Sequence, residues 1–483
     1  MNLLEPRTWE GAIFSGDWRE TPATLPVIEP ATGKELARVG LADVAALDAA
    51  VVRAAQAQRE WAAAPYPARM KVLRRAAELF TEHAAEIAEW AMREAGAARG
   101  FAASYGATGA EECYQAATLS SVPNGEVIPS TQPRLSFARR LPVGVVGVIA
   151  PFNAPITLAV RSIAPALAVG NAVVLKPDPR TSLVGGVVFA RIFEEAGLPD
   201  GLLHVLPGGA EVGEALVKHP DVPVIAFTGS TRGGKAIAAA AAPLLKRVHL
   251  ELGGNSAMIV LDDADLELAA RAGAAGTFRH QGQICMATGR HLVAESLAAD
   301  YVAAVTEIAE SMVVGDPTQD GVTMGPLIDA GQRDRVHGLV TASLDGGARA
   351  TTGAAYDELF YRPTVLTSVT ESTPAYAEEV FGPVVSVMPF ASAEEAVRLA
   401  AATSYGLSLG ILTRDVMKGL ALAERIPTGL VHINDQTIND EPGIPFGGVG
   451  ESGNGARHGG LATNLEAFTE VQWVTMRATP PRY

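Results

Sequence analysis

Short Val/Ile-rich strands alternating with helical stretches from about residue 143, a second such alternation from about 253, and a tail of alternating apolar and polar residues predict an α/β protein. The expected architecture is two doubly wound, Rossmann-like domains with a small β arm. Strands buried on both faces read as continuous apolar runs, the pattern of a parallel sheet covered by helices. At 483 residues the chain is long enough for two or three domains with their own cores, so a cleft between domains is available.

Along the chain, residues 42–120 are Ala-rich with charges at helical spacing and predict amphipathic helices that form scaffold rather than site. Residues 145–150, 172–175, 202–206 and 222–227 predict buried strands, with helices over 155–168, 182–197, 211–218 and 235–245. In the second set, 257–261, 291–294, 384–389, 409–413 and 430–434 are the strands. The helices there are 265–276, 296–312, 329–343, 393–402 and 415–425. The tail 469–475 reads as a strand, with 135–143 as its partner in a protruding hairpin.

Charge and cysteine exclude several function classes. The 38 Lys+Arg against 53 Asp+Glu leave a formal charge of −15, which repels nucleic acid and anionic membrane alike, and neither is an expected partner. Two cysteines, Cys113 and Cys285, are too few for a disulfide framework and point to a reducing compartment. The first residues lack a signal-like apolar stretch and no run approaches the roughly 20 residues of a membrane span, so a cytoplasmic location is expected.

Two glycine-rich strings invite a nucleotide reading. Gly448-Val449-Gly450-Glu451-Ser452-Gly453 has the letters of a dinucleotide fingerprint but no strand, turn and helix around it, and reads as a flexible loop. The segment from Phe227 through Gly229 and Ser230 to Lys235 is better placed, between a strand and a helix whose N-terminal amides can hold phosphate. It also spells a P-loop, but Ala236 stands where the Mg²⁺-binding hydroxyl would be.

Cys285 lies in the polar, Gly-flanked segment His280-Gln281-Gly282-Gln283-Ile284-Cys285-Met286, where substrate can reach a thiol and amide dipoles can lower its pKa. Cys113 sits on a helix beside two acids and reads as structural. Glu251 ends an apolar strand before Gly253-Gly254, a place where partial burial would raise its pKa toward neutrality; a solvated strand-end acid is the alternative. Asn153, between prolines, offers an amide to an oxyanion or simply closes an Asx turn. Lys176 is a lone cation at a parallel strand's C-terminal end, where doubly wound sheets bind ligands.

Together, Pro151-Phe152-Asn153, Lys176-Pro177, Phe227-Thr228-Gly229-Ser230, Leu250-Glu251-Leu252-Gly253-Gly254, Gly282-Gln283-Ile284-Cys285, Glu378-Glu379-Val380-Phe381-Gly382-Pro383 and Pro445-Phe446-Gly447-Gly448 resemble, in order and spacing, the NAD(P)-dependent aldehyde dehydrogenase superfamily over the whole chain. The resemblance implies oxidation of a small-molecule aldehyde to its acid, with NAD or NADP as cofactor and no metal. Cys285 would be the nucleophile, Asn153 the oxyanion donor and Glu251 the base that activates water, with Lys176 completing the catalytic set. Lys176 and Glu379 would hold the cofactor riboses and Phe381 the nicotinamide end. Gly229 and Ser230 would meet the pyrophosphate, and Phe152, Pro179, Arg180, Gly209, Gly213, Phe227 and Gly253 would complete the cofactor lining. Two rivals keep the same residue types: a cofactor-free Cys-Glu-Lys hydrolase, and a nucleotide-binding protein that does not use Cys285.

Within the superfamily, the segments around Lys176 and Cys285 are most similar to bacterial benzaldehyde and vanillin dehydrogenases, which implies an aromatic aldehyde. By the same analogy Ala154, Leu158, Arg161, Ile284, Met286 and Phe446 line the aldehyde tunnel, where Arg161 either pairs with an acid or meets a ring substituent. Pro179 replaces an acid that many NAD-specific members carry, which opens NADP use, with Arg180 available to a 2′-phosphate. Gly459 replaces another acid near the water path. The implied division is a cofactor-binding domain (1–120 and 143–252), a catalytic domain (253–452) and an oligomerisation arm (121–142 and 465–483) that builds a homodimer or homotetramer.

Overall fold

The computed structural model describes residues 2–481. Its first sheet has seven strands in the order Arg247–Glu251, Val224–Thr228, Val145–Ile149, Ala172–Lys176, Leu203–Val205, Ala12–Ser15 and Trp18–Glu20. The first five are parallel and the last two, from the N-terminus, add antiparallel. Helices Val44–Ala63 and Ala210–Lys218 pack on one face and Pro155–Ala168 on the other, giving the double winding. Because strand order reverses between Val145–Ile149 and Val224–Thr228, a crevice opens at their C-terminal ends, just where Asn153 and Gly229 follow.

The second sheet runs Arg349–Thr352, Thr364–Thr367, Val384–Phe390, Thr288–Ala294, Ser256–Val260, Ser408–Leu412 and Leu430–Ile433, all parallel but the first. Its interior strand Ser256–Val260 feeds two cores. Ala257 and Ile259 enter one with Val336 and Leu399, while Met258 and Val260 enter the other with Ala270 and Tyr301. Side chains alternate across a strand, so an unbroken apolar run is what a sheet with helices on both faces requires.

A third sheet joins Thr469–Met476 to Leu135–Pro142 in antiparallel register, Thr469 opposite Pro142, with Gly125–Val127 on the far side. The predicted strands and helices reappear with shifts at their ends, and four differences are informative. The expected 182–197 helix starts as a π-turn, Leu183–Val187, whose Leu183 and Val184 amides are capped by the buried Glu94. The helix expected from 235 begins at Thr231, capped by Ser230. The N-terminal strands and the pair Arg349–Thr352 and Thr364–Thr367 had no sequence signal, because short edge strands gain their stability from the neighbour they pair with. Finally, 448–453 is no free loop: Gly453 bridges to Glu251, Leu252 N donates to the Ser452 carbonyl, and Ser452 is wholly buried.

Candidate active site

The first sheet's strands end where those of the second begin. Asn153, Lys176, Gly229 and Glu251 follow or close strands of the first, whereas Gly253–Asn255, Cys285 and Glu379–Gly382 precede strands of the second. Sequence-distant motifs therefore meet along one seam.

Cys285 sits on a turn closed by the Ala287 amide and the Ile284 carbonyl, half-buried. The turn is entered through His280, Gln281 and Gly282, all in the left-handed region. Such a run is unfavourable for the two non-glycine residues and persists only when anchored. Gln281 Nε2 supplies the anchor by donating to the Gly96 and Pro326 carbonyls, and the Phe101 ring stacks on His280 at 4.5 Å. Ile284, Met286, Phe446, Leu407, Leu430 and Ile438 form one apolar cluster against which Cys285, Ile444 and Phe101 pack. Three of the expected tunnel residues are thus beside the thiol. Phe101, Ile438 and Ile444 join them from segments that carried no motif. Thr437 donates to the Met286 carbonyl at 2.7 Å and fixes that wall.

The thiol's acidity differs from the sequence expectation. Burial, then the carboxylates of Glu379, Glu251 and Asp440, push Cys285 up to about 12, and only the Met286 amide opposes them. The thiol form is the resting form. Cys113 is also pushed up, by burial and then Glu112, as a structural thiol should be.

Glu251 is 4% exposed, which removes the solvated alternative. Among the described residues neither of its carboxylate oxygens has a hydrogen-bond partner. Burial holds its carboxyl well above the usual range, with Arg457 and Arg161 pulling down and Asp440 pushing up. A Cβ on Gly447 would stand 2.8 Å from Glu251 Oε1, so glycine there leaves the carboxylate its room. Asn153 is also buried, and its side chain makes no hydrogen bond among the described residues, so no Asx turn consumes its amide.

On the first sheet's side, Lys176 is buried with its pKa lowered by that burial, against Asp178 and Glu211. Gly213 lies open to the Lys176 stem, and Gly209 begins the same helix beneath Glu211. Glu379 accepts the Gly254 amide at 3.0 Å and burial pushes it up to about 7. A Cβ on Gly253 would lie 2.4 Å from Glu379 Oε2, so a larger residue would displace the Glu379 carboxylate. Phe381, itself left-handed, meets Phe152 edge to face at 5.9 Å, and Phe227 backs Gly229. Helix amides, bare glycines, a buried cation and two carboxylates along a switch-point crevice fit a phosphate-bearing dinucleotide.

Residues 18–474 match the aldehyde dehydrogenase family. The chain belongs to this family. Its relatives include a vanillin dehydrogenase of Amycolatopsis sp., 58% identical over all of both chains, and a benzaldehyde dehydrogenase [NAD(+)] of Pseudomonas putida, 48% identical over 99% of both. Among solved structures, a betaine aldehyde dehydrogenase from Staphylococcus aureus in complex with NAD+ superposes with a TM-score of 0.95 at 29% identity, covering 99% of this chain and 96% of that one. This protein is therefore an aldehyde dehydrogenase, and the two rival readings fall. Lys235, the last residue of the P-loop string, pairs with Glu451 at the surface.

Two expectations for arginines change. Arg161 of this dehydrogenase is bound by acids, Glu112 and Asp440, rather than left free for a substituent. Arg180 is held by Asp178 and Asp329 and lies 4.1 Å above the Phe152 ring, so it is not a free partner for a 2′-phosphate.

Proposed function

We propose that this enzyme oxidises aromatic aldehydes of the benzaldehyde and vanillin type to carboxylic acids with NAD. The observation that carries the reading is the apolar cluster of Ile284, Met286, Phe446, Ile438, Ile444 and Phe101 around Cys285, with the unpaired carboxylate of Glu251 on the same seam. Planar aromatic rings suit such walls. The names of the two relatives agree with it, and the matched charge of Arg180 favours the unphosphorylated dinucleotide.

Cys285 attacks the formyl carbon, and its proton passes to Glu251, whose raised pKa makes it a competent acceptor. The alkoxide of the resulting thiohemiacetal takes hydrogen bonds from the Asn153 amide and the Cys285 backbone N–H. Bound dinucleotide supplies the hydride acceptor. The Cys285 thioester is then hydrolysed by water that Glu251 deprotonates, and loss of the thioester makes the oxidation one-way. Lys176 and Glu379 hold the cofactor, with Gly229 and Ser230 at its pyrophosphate and Phe381 at its nicotinamide end.

In this reading residues 1–120 and 143–252 bind the cofactor and 253–452 carry the nucleophile. The arm joins a second copy of the chain, and a reducing, cytoplasmic setting keeps Cys285 a thiol. Among the described residues no helix is long and apolar enough to cross a membrane. Protein mixed with NAD⁺ and benzaldehyde is expected to form reduced nicotinamide, and Cys285→Ala to abolish it. No dinucleotide reduction with any aldehyde would overturn the proposal.

A further inference from the structure

Ala154, Leu158 and Arg161 form one stripe at the start of the helix Pro155–Ala168, by the i, i+4, i+7 rule. Most of that helix is buried, yet Ala154, Thr157 and Leu158 keep partial exposure, so the stripe borders open space. Phe446 ties this space to the thiol: it packs in the Cys285 cluster, and its ring lies 5.2 Å from Arg161 Cζ.

Arg161 is clamped between two carboxylates, its Nη1 ion-paired with Asp440 but making no hydrogen bond. Glu112 Oε1 takes its Nε at 3.0 Å and Nη2 at 2.9 Å, and Asp440 Oδ2 meets Nη1 at 2.7 Å. Asp440 belongs to the segment 438–446, whose Ile438, Ile444 and Phe446 all wall the thiol. Its other oxygen, Oδ1, is buried and has no hydrogen-bond partner among the described residues. An unsatisfied buried acceptor is costly, more so when charged. Besides the Glu251 oxygens, which serve the reacting carbon, Asp440 Oδ1 is a further bare acceptor at this apolar wall, and it marks where a donor belongs.

The charges define that donor. One guanidinium against two carboxylates leaves the triad short of positive charge, which disfavours an anionic substituent. A cationic substituent would be drawn by that charge but would have to shed its water among the apolar side chains of Ile438, Ile444 and Phe446, whose ring face Arg161 already occupies. A neutral hydroxyl remains. Asp440 is near enough for its charge to act on Cys285 and Glu251, yet among the described residues it bonds to neither, so it serves the ring rather than the reacting carbon.

We propose that Asp440, held in place by Arg161, is the specificity-determining residue of the pocket, its Oδ1 accepting a hydrogen bond from a phenolic hydroxyl on the ring edge remote from the formyl group. The proposal rests on the aromatic-aldehyde reading above. It is tested with the unreactive analogues 4-hydroxybenzamide and 4-methoxybenzamide, whose inhibition constants are measured against benzaldehyde oxidation; the methoxy group has no proton to donate, and its extra methyl is controlled by Asp440→Asn, in which a purely steric preference would persist. Wild-type enzyme is expected to bind the hydroxy compound about tenfold or more tightly than the methoxy compound, the scale of one hydrogen bond to a charged group. Asp440→Asn is expected to bring the two within about twofold, and to lower kcat/KM for 4-hydroxybenzaldehyde relative to benzaldehyde by about tenfold. Equal binding of both analogues by the wild type overturns the proposal even if the variant fails to fold, as does an unchanged ratio in a folded variant. The two failures separate: no oxidation of benzaldehyde overturns the aromatic reading and this one with it, whereas oxidation with equal analogue binding removes Asp440 alone.

Discussion

Arg180 and Asp329 meet guanidinium to carboxylate at 2.9 Å, joining a strand-end loop of the first sheet to the N-cap of the helix Ala330–Asp345 beside the second. Asp178 binds the same guanidinium through both of its oxygens, at 2.9 and 2.8 Å. Two carboxylates on one cation leave local negative charge where a 2′-phosphate would have to come. Asp329→Asn is therefore expected to lower the NAD/NADP ratio of kcat/KM by roughly 2–5-fold, the size of a partly exposed charge effect. An unchanged ratio would place the 2′-position elsewhere.

Replacing Glu251 by Gln should slow both half-reactions, since it removes the acceptor of the Cys285 proton and the base that activates water. The expected signature is loss of any rapid burst of reduced nicotinamide, with steady turnover lowered roughly 10²–10⁴-fold. Since Glu251 must be ionised to accept a proton, the wild-type steady rate should rise with pH through its raised pKa, a limb that the variant lacks. A full burst in the variant would put Glu251 in thioester hydrolysis alone.

Gly282 has φ +68°, and a Cβ there would stand 2.1 Å from the Gly382 carbonyl oxygen. Backbone meets backbone, so nothing flexible can yield. Gly282→Ala should destabilise the fold by about 2–4 kcal/mol in denaturant titration and displace the Cys285 turn, cutting kcat. Wild-type kinetics and stability would show that this turn does not fix the thiol.

Burial pushes Glu379 up to about 7, above the ordinary 4.5 it has in the unfolded chain. Between those values the folded state binds the extra proton, so stability falls as pH rises through the window and the cost is complete above it. The melting temperature of the unliganded wild type should drop more between pH 5 and pH 8 than that of Glu379→Gln. Parallel curves would mean that the carboxyl titrates normally.

The arm exposes Val127, Val471 and Trp473 on two of its three strands, an apolar surface unusual for strands that end a domain. Trp473→Asp should shift the enzyme toward monomer in sedimentation velocity while leaving the far-ultraviolet circular dichroism intact. Retention of the wild-type assembly would move the subunit contact off this face.

The sequence by itself determined the two alternating α/β units, the hairpin partner of the tail and the family of the chain. Those features rest on local signals: apolar runs such as Met258 to Leu261, glycine at turns, and motifs contiguous in the chain. It also picked out Cys285 and Glu251 as chemically unusual, but not how unusual. Only the tertiary structure decided that the thiol is pushed up rather than down, because that depends first on burial and then on carboxylates contributed by Glu379, Glu251 and Asp440 from three different segments. The strand Arg349–Thr352 was invisible for a related reason: its residues are polar and mostly exposed, and its pairing with Thr364–Thr367 makes it a strand. Arg161 shows the division most plainly. Its place on one helix face with Ala154 and Leu158 follows from helical spacing, whereas its partners Glu112 and Asp440 come from distant segments that no local pattern connects to it. Burial and charge are sums over neighbours in space, and folding alone chooses those neighbours.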